Sequence, residues 1–172
     1  SAERRMNAEA PTQPFMIQRW HAPSGVHSDA AALDLAVMVL DGDSGRLHRV
    51  LVEEKKLALA ASAGYGVLRY GGWVDISVRP RPGVDFAELE KALQEILQTL
   101  QKEGPTEREL QKVKNQSLAM TARQLQSNAG IGAALGLAEI SGGWKDVTRY
   151  LDRIMKVTPD QVRDAAAKYL TP

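Results

Sequence analysis

The chain contains three histidines, the residue type best suited to hold a catalytic zinc ion. His21, His27 and His48 form no i, i+4 pair and no H-E-x-x-H or H-x-x-E-H pattern. The absence of cysteine excludes disulfides, thiolate zinc ligands and a cysteine nucleophile. The sequence therefore predicts surface or hydrogen-bonded histidines, no catalytic residue and no metal site in this chain.

A second pattern of ligand-like residues lies in "DGDSGRLHRVLV", where Asp41 and Asp43 have the spacing of the first ligands in a calcium loop. Arg46 occupies the position of the sharp-turn glycine, and Val52 that of the bidentate glutamate. Because neither side chain can replace the expected residue, the segment predicts no calcium site.

The glycines of "NAGIGAALG", residues 128–136, are the third candidate motif. Their spacing does not match a dinucleotide-binding fingerprint, and they follow a polar helix instead of a strand. We expect them to interrupt a helix or to allow close helix packing.

Hydrophobic periodicity predicts the elements that position these residues. "FMIQRWH" (15–21) has the pattern of a strand, and "SDAAALDLAVMVL" (28–40) that of a helix capped by Ser28 or Asp29. "GRLHRVLVEEKK" (45–56) predicts a second helical stretch. The apolar stripe of the first helix comprises Leu33, Ala36, Val37 and Leu40.

The period changes to two after residue 56, which predicts two strands. "WVDISVR" (73–79) is the clearer one, and the turn "RYGG" (69–72) before it favours an antiparallel pair. In the preceding strand, one face is expected to carry Leu57, Leu59, Ala61, Ala63 and Tyr65.

The remainder of the chain predicts helices with clear starting signals. The predicted capping boxes are Asp85 with Glu88, Thr106 with Glu109, and Thr158 with Gln161. The apolar stripe of the first of these helices is Leu89, Leu93, Ile96, Leu97 and Leu100, and that of the second is Leu110, Val113, Ser117, Leu118 and Leu125. The order of elements predicts an α+β fold: a two-layer sandwich of a mainly antiparallel sheet with helices on one face.

Composition limits the partners of this domain. The 172 residues are 44% hydrophobic and 25% charged with a net charge of +1, so no strong attraction to nucleic acid or to an anionic membrane is expected. The longest apolar run, residues 35–40, is too short for a membrane span. Residues 1–14 are predicted to be a linker from a missing upstream half, and residues 15–172 the domain itself. The chain begins at Ser1 without methionine, which we interpret as an excised piece of a longer protein.

Several motifs follow one another in an order that resembles a known family. They are Trp20 with Pro23, the segment Asp29–Leu33, the pattern from Leu40 to Ala58 that ends in "LVEEKKLA", "EGPTERELQKVKN" (103–115) and "VTPDQVRDAAAKYL" (157–170). Together they resemble the second, non-catalytic half of bacterial M16 metallopeptidases, the family of insulinase, pitrilysin and mitochondrial processing peptidase. The resemblance spans residues 15–170 and implies a β-α-β-β-α-α sandwich of the LuxS/MPP-like metallohydrolase fold.

The resemblance also implies that the two halves of the parent protein have different roles. In this family the zinc ion and the catalytic glutamate belong to the first half, where H-x-x-E-H lies on a helix; the similar helix here, residues 28–40, has no histidine. The implied role is one wall of a chamber that holds a peptide substrate against the upstream catalytic half. Because bacterial relatives are often exported, the resemblance is compatible with a periplasmic parent.

Active second halves carry an arginine and, seven residues later, a tyrosine, which are thought to hold the substrate carbonyl and its developing oxyanion. Aligning "LVEEKKLAL" (51–59) with that segment puts Val52 at the arginine position and Leu59 at the tyrosine position. Neither side chain can donate a hydrogen bond to the negative charge. We therefore expect Val52 and Leu59 to be cleft-facing positions that lack the family's function.

Two explanations follow from this departure. The chain is the tail of a zinc-carrying subunit whose missing donors come from a second M16-like subunit, or it is a docking or assembly domain of a non-catalytic pseudopeptidase. An H-x-x-E-H motif in the upstream half would favour the first explanation. An independent small-molecule enzyme is disfavoured because no acid/base cluster or phosphate loop is evident.

Overall fold

An antiparallel sheet with one buried face organises the fold. The computed structural model describes residues 3–9 and 11–171. Its strands are β1 (Met16–Ala22), β2 (Ala58–Val67) and β3 (Gly72–Pro80), in the order β1-β3-β2. The central strand buries Val74, Ile76 and Val78 completely, whereas Arg79 is exposed. The predicted antiparallel pair and its turn are confirmed.

Helices cover the buried face of the sheet. They are α1 (Ala30–Leu40), α2 (Phe86–Glu103), α3 (Glu107–Gln124), α4 (Asn128–Ser141), α5 (Asp146–Lys156) and α6 (Pro159–Tyr169), with a π-helical segment at His48–Glu54 between α1 and β2. The predicted α+β fold is therefore confirmed.

Helix α1 lies at the centre of the core, where it contacts β2, α3, α5 and α6. The predicted apolar stripe is buried, but the buried surface of α1 is wider than that stripe. Leu35 and Val39, on other sides of the helix, are buried as well. The cap prediction is only half right. Asp29 occupies the N-cap position, but its carboxylate makes no capping bond and instead accepts hydrogen bonds from Lys168 Nζ (2.7 Å) and Tyr169 OH (2.8 Å).

Local sequence signals start α3 and α6 as predicted, whereas at α2 Asp85 caps the helix without the predicted capping box with Glu88. Reciprocal capping boxes form at Thr106 with Glu109 and at Thr158 with Gln161, and Asp85 accepts a hydrogen bond from the Ala87 amide. Every member of the predicted α2 stripe is buried.

The predicted stripe of α3 is wrong at its C-terminal end. Leu118 and Leu125 are exposed, and Lys114 takes a buried position instead. Its ammonium donates to the carbonyl oxygens of Met155 (2.9 Å) and Val157 (2.7 Å), at the end of α5. A lysine that satisfies the last carbonyls of a neighbouring helix is invisible to a pattern of apolar residues.

Helix α4 differs from the other helices because none of its described residues is buried. Gly132 and Gly136 lie within it, and a Cβ added at either would meet nothing within 4 Å. The prediction that these glycines interrupt a helix or allow close packing is therefore wrong for Gly132 and Gly136. Gly130 does allow a close approach, because a Cβ there would clash with the Gln124 carbonyl oxygen at the end of α3. The apolar side chains of α4 face outward, and Leu137 is 64% exposed.

The N-terminal residues 3–9 and 11–15 contain no helix or strand among the positions that are described. Arg5 Nη2 lies 3.0 Å from Glu90 Oε2 on α2, between exposed side chains. In the described part of the chain, no helix combines the length and apolar character that a membrane crossing requires.

Burial distinguishes α2 from α4 in a way that unfolding experiments can measure. Leu93→Ala removes a fully buried side chain and should lower the free energy of unfolding by about 2–5 kcal/mol. Leu137→Ala, the matched control on α4, should change it by less than about 0.5 kcal/mol. Urea unfolding followed by circular dichroism gives both values, and similar losses for the two variants would contradict this fold.

Candidate functional site

The first part of the candidate site is the π-helical segment that carries Val52. The amide of Lys55 donates to the Val50 carbonyl at 2.9 Å, which closes the wider turn. Leu51 is fully buried, and Val52 is partly buried and packs against the core. The predicted helical stretch is thus present, but its π form was not predicted, because one wide turn leaves no distinct pattern in sequence.

A β-bulge places Leu59 at the beginning of β2. Ala58 pairs with Pro80 and Ala60 with Arg79, so Leu59 is the extra residue between them. Leu59 is 48% exposed, whereas Leu57 is buried. The predicted common face of β2 is wrong at Leu59, because a bulge reverses the alternation of side chains.

The two side chains have different surroundings. Val52 packs on the domain core, whereas Leu59, seven residues later, projects outward. Neither side chain carries a hydrogen-bond donor. Their assignment as cleft-facing replacements for an arginine and a tyrosine stays a prediction.

The second part of the site is a carboxylate on the otherwise apolar helix α1. Asp34 Oδ2 accepts a hydrogen bond from Tyr150 OH of α5, and Ser117 Oγ of α3 lies 3.5 Å from the same phenol oxygen. Burial raises the pKa of Asp34, and the bond from Tyr150 opposes that rise. Burial and the Asp34 charge also raise the pKa of Tyr150. The pair therefore retains the phenol proton and ties α5 to α1.

Sequence reasoning did not single out Asp34 or Tyr150. The available signal was an acidic residue within an apolar helical run, since such a group requires a partner when buried. The partner lies 116 positions away and could not be identified from spacing.

The histidines and acids do not converge on a metal site. Across residues 3–9 and 11–171, no group of three or more histidine, cysteine, aspartate or glutamate side chains could hold an ion. His27 Nδ1 accepts a hydrogen bond from the Asp29 amide at 3.1 Å, and His21 is exposed. The expectation for His48 is wrong: its Nδ1 is buried without a hydrogen bond and lies 3.7 Å from Glu53 Oε1.

An ion pair holds the chain just before the π-helical segment. Arg46 binds Glu109 with two hydrogen bonds, Nε to Oε1 at 2.9 Å and Nη2 to Oε2 at 2.8 Å. Arg46 Nη2 also donates to the Gly104 carbonyl at 2.9 Å. The bond from Arg46 is the main cause that lowers the pKa of Glu109 to about 2. Glu109 therefore both takes part in the cap of α3 and holds Arg46, two residues before the π-helix.

Comparison with known proteins connects this geometry to a family. A family model described as peptidase M16 inactive domain matches residues 2–117. No curated protein matches the chain.

Solved structures of bacterial proteins share the fold. The inactive peptidase domain of a proposed zinc protease from Bordetella parapertussis is 28% identical with a TM-score of 0.84, and the match covers 94% of this chain and 87% of that one. A proposed zinc protease from Bordetella pertussis Tohama I is 27% identical with a TM-score of 0.82, over 94% and 90% of the two chains.

A protease from Helicobacter pylori is 22% identical with a TM-score of 0.86, a likeness of fold alone. The match covers 91% of this chain but 38% of the Helicobacter pylori chain. The present chain therefore spans little more than a third of that protein.

The Arg46–Glu109 pair predicts a specific dependence of stability on pH. The pKa of Glu109 is below its ordinary value of 4.5, so its contribution is complete above about pH 4.5 and is lost as pH falls toward 2. Glu109→Gln should lower the free energy of unfolding at pH 7 by about 1–3 kcal/mol, a penalty that shrinks with acidification. Urea unfolding between pH 7 and pH 3 measures it.

The control is Glu107→Gln, which removes an exposed carboxylate from the same turn of α3. Its effect should stay below about 0.5 kcal/mol at each pH. A penalty for Glu109→Gln that is the same at pH 7 and pH 3 would show that the ion pair does not stabilise the fold.

Proposed function

The chain belongs to the peptidase M16 inactive-domain family, and we propose that it is the non-catalytic half of a zinc metallopeptidase. In this proposal it forms one wall of the chamber in which a peptide is held. The zinc ion and the attacking water belong to a catalytic half upstream in the parent protein. The activity of the parent protein and its peptide substrate are parts of the proposal.

The observation that carries the proposal is the chemistry of α1. This helix corresponds, by resemblance, to the zinc-binding helix of the catalytic half, yet its only ionisable side chain is Asp34. Tyr150 already occupies a carboxylate oxygen of Asp34, and no nitrogen ligand is present on α1. The described side chains of α1 do not fit zinc, which requires convergent nitrogen and oxygen ligands.

The apolar side chains at positions 52 and 59 support a partner that completes the site. An oxyanion donor is typically worth about 10²–10³ in rate, so a competent peptidase of this kind needs donors from elsewhere. We propose that a second M16-like subunit supplies the arginine and tyrosine.

A second candidate function is a docking or assembly domain of a non-catalytic pseudopeptidase. The exposed apolar side chains of α4 and the following turn favour it: Leu137 is 64% exposed, Ile140 69% and Trp144 54%. Apolar groups exposed together commonly mark a protein–protein interface. The two candidate functions differ in whether peptide hydrolysis results.

Reconstitution distinguishes the two functions. In the presence of the second M16-like subunit that supplies the arginine and tyrosine, a fluorogenic peptide is incubated with this chain, with the zinc-bearing half, or with both. We expect no hydrolysis by this chain alone and at least about a tenfold higher kcat/KM for the mixture than for the zinc-bearing half alone, because the wall positions the substrate. Hydrolysis by this chain alone would overturn the proposal, and a stable mixture without activity would favour the docking function.

Substitution at positions 52 and 59 tests the missing donors. The double variant Val52→Arg/Leu59→Tyr should change kcat only in the assembled complex, because the introduced groups act on a carbonyl held by the zinc-bearing half. The control is Val50→Arg, which places a charge on the same π-helical turn. Identical rates for the double variant and the unmodified chain, in a complex shown to be intact, would contradict the assignment.

A further inference from the structure

A cavity of about 500 Å³ lies beside the turn between α4 and α5. We call it the basic cavity, and its lining includes Val26, Glu139, Trp144, Lys145, Arg149 and Arg153. None of these residues belongs to the π-helical segment, to β2 or to the Asp34–Tyr150 pair. The cavity therefore lies apart from Val52, Leu59 and the Asp34–Tyr150 pair.

Three basic residues dominate the charge of this cavity. Lys145, Arg149 and Arg153 are spaced four residues apart along α5, which brings their side chains to one side of the helix. Glu139 is the acidic residue among them, and one of its oxygens accepts a hydrogen bond from the Trp144 amide at 3.0 Å. Positive charge thus exceeds negative charge in the lining.

Apolar surface adjoins the charges. The indole of Trp144 is 54% exposed, with Lys145 Nζ 5.8 Å from its ring centroid. Ile140, at the end of α4, is 69% exposed. A ligand that matches both features carries an anionic group next to apolar groups.

We propose that the basic cavity binds a carboxylate of a peptide, either an acidic side chain or a free C-terminus. This inference rests on the proposed function, since a chamber wall contacts the peptide. Arg149 is exposed, and its planar guanidinium can bind a carboxylate with two parallel hydrogen bonds. The net charge of +1 over the whole chain disfavours nucleic acid, which selects for extended positive surfaces.

Three peptides with an N-terminal dansyl group, which is uncharged at neutral pH, distinguish the two sources of the carboxylate. The first, Ala-Leu-Glu-Leu-Ala amide, carries only an acidic side chain, and the second, Ala-Leu-Gln-Leu-Ala, carries only a free C-terminus. The third, Ala-Leu-Gln-Leu-Ala amide, has neither. Fluorescence anisotropy with this chain should show at least one of the first two binding about tenfold tighter than the third, with the advantage falling as salt rises. Equal affinities, or no binding of any peptide, would overturn the inference.

A matched pair of variants locates the binding. Arg149→Gln should weaken the preferred peptide about tenfold, because a charge-assisted hydrogen bond is lost. Arg108→Gln removes an equal, exposed charge from the first turn of α3 and should leave the affinity unchanged. Equal losses of affinity in the two variants would indicate non-specific attraction and contradict binding in the cavity. A tighter, Arg149-dependent complex with an oligothymidylate would also refute it, in favour of nucleic acid.

The binding measurement and the reconstitution test separate claims, so either experiment can succeed when the other fails. Carboxylate-selective binding without any stimulation of hydrolysis would support the carboxylate site in the cavity and contradict the proposed role as a peptidase wall. Stimulated hydrolysis without carboxylate selectivity would retain the wall and reject this cavity.

Discussion

The burial of α1 is the constraint on which the rest of the structure depends. This helix contacts β2, α3, α5 and α6, so nearly every position on it must be apolar. Leu33, Leu35 and Leu40 are completely buried, and each contributes about 1.5–3 kcal/mol through the area it removes from water. The helix that a catalytic half would use for chemistry serves here as the centre of a core.

Asp34 is the polar side chain on this otherwise apolar, buried helix. A carboxylate in such surroundings requires a hydrogen-bond donor, and Tyr150 provides it from α5. The donor is a phenol whose pKa is raised by burial and by the Asp34 charge, so it retains its proton and cannot act as a base near neutral pH. The interaction is suited to position α5 against α1 and not to transfer a proton in a reaction.

Sequence reasoning was successful where neighbours along the chain determine the outcome. The α2 stripe and the capping boxes at Thr106 and Thr158 depend on residues within one or two turns, and the structure confirms them. The position of Leu59 depends on how β2 pairs with β3, which a periodic pattern in one strand does not contain. The exposure of α4 also escapes such patterns, because its apolar residues resemble those of a core helix. Of the candidate site, the helix without histidine was visible in sequence, whereas Asp34–Tyr150 and the basic cavity required the tertiary structure.

The two polar anchors of α5 explain how a helix at the edge of the core can present charges in a defined place. Tyr150 is held through Asp34 in the middle of the helix, and Lys114 binds the carbonyl oxygens of Met155 and Val157 at its end. Ile154 adds a completely buried contact between these anchors. Because α5 is fixed along its length, the basic side chains on its other side need no reordering of the helix backbone to meet a ligand, which reduces the entropic cost of binding. Helix α4 buries none of its described residues, whereas the core fixes the backbone from which the basic side chains of α5 project.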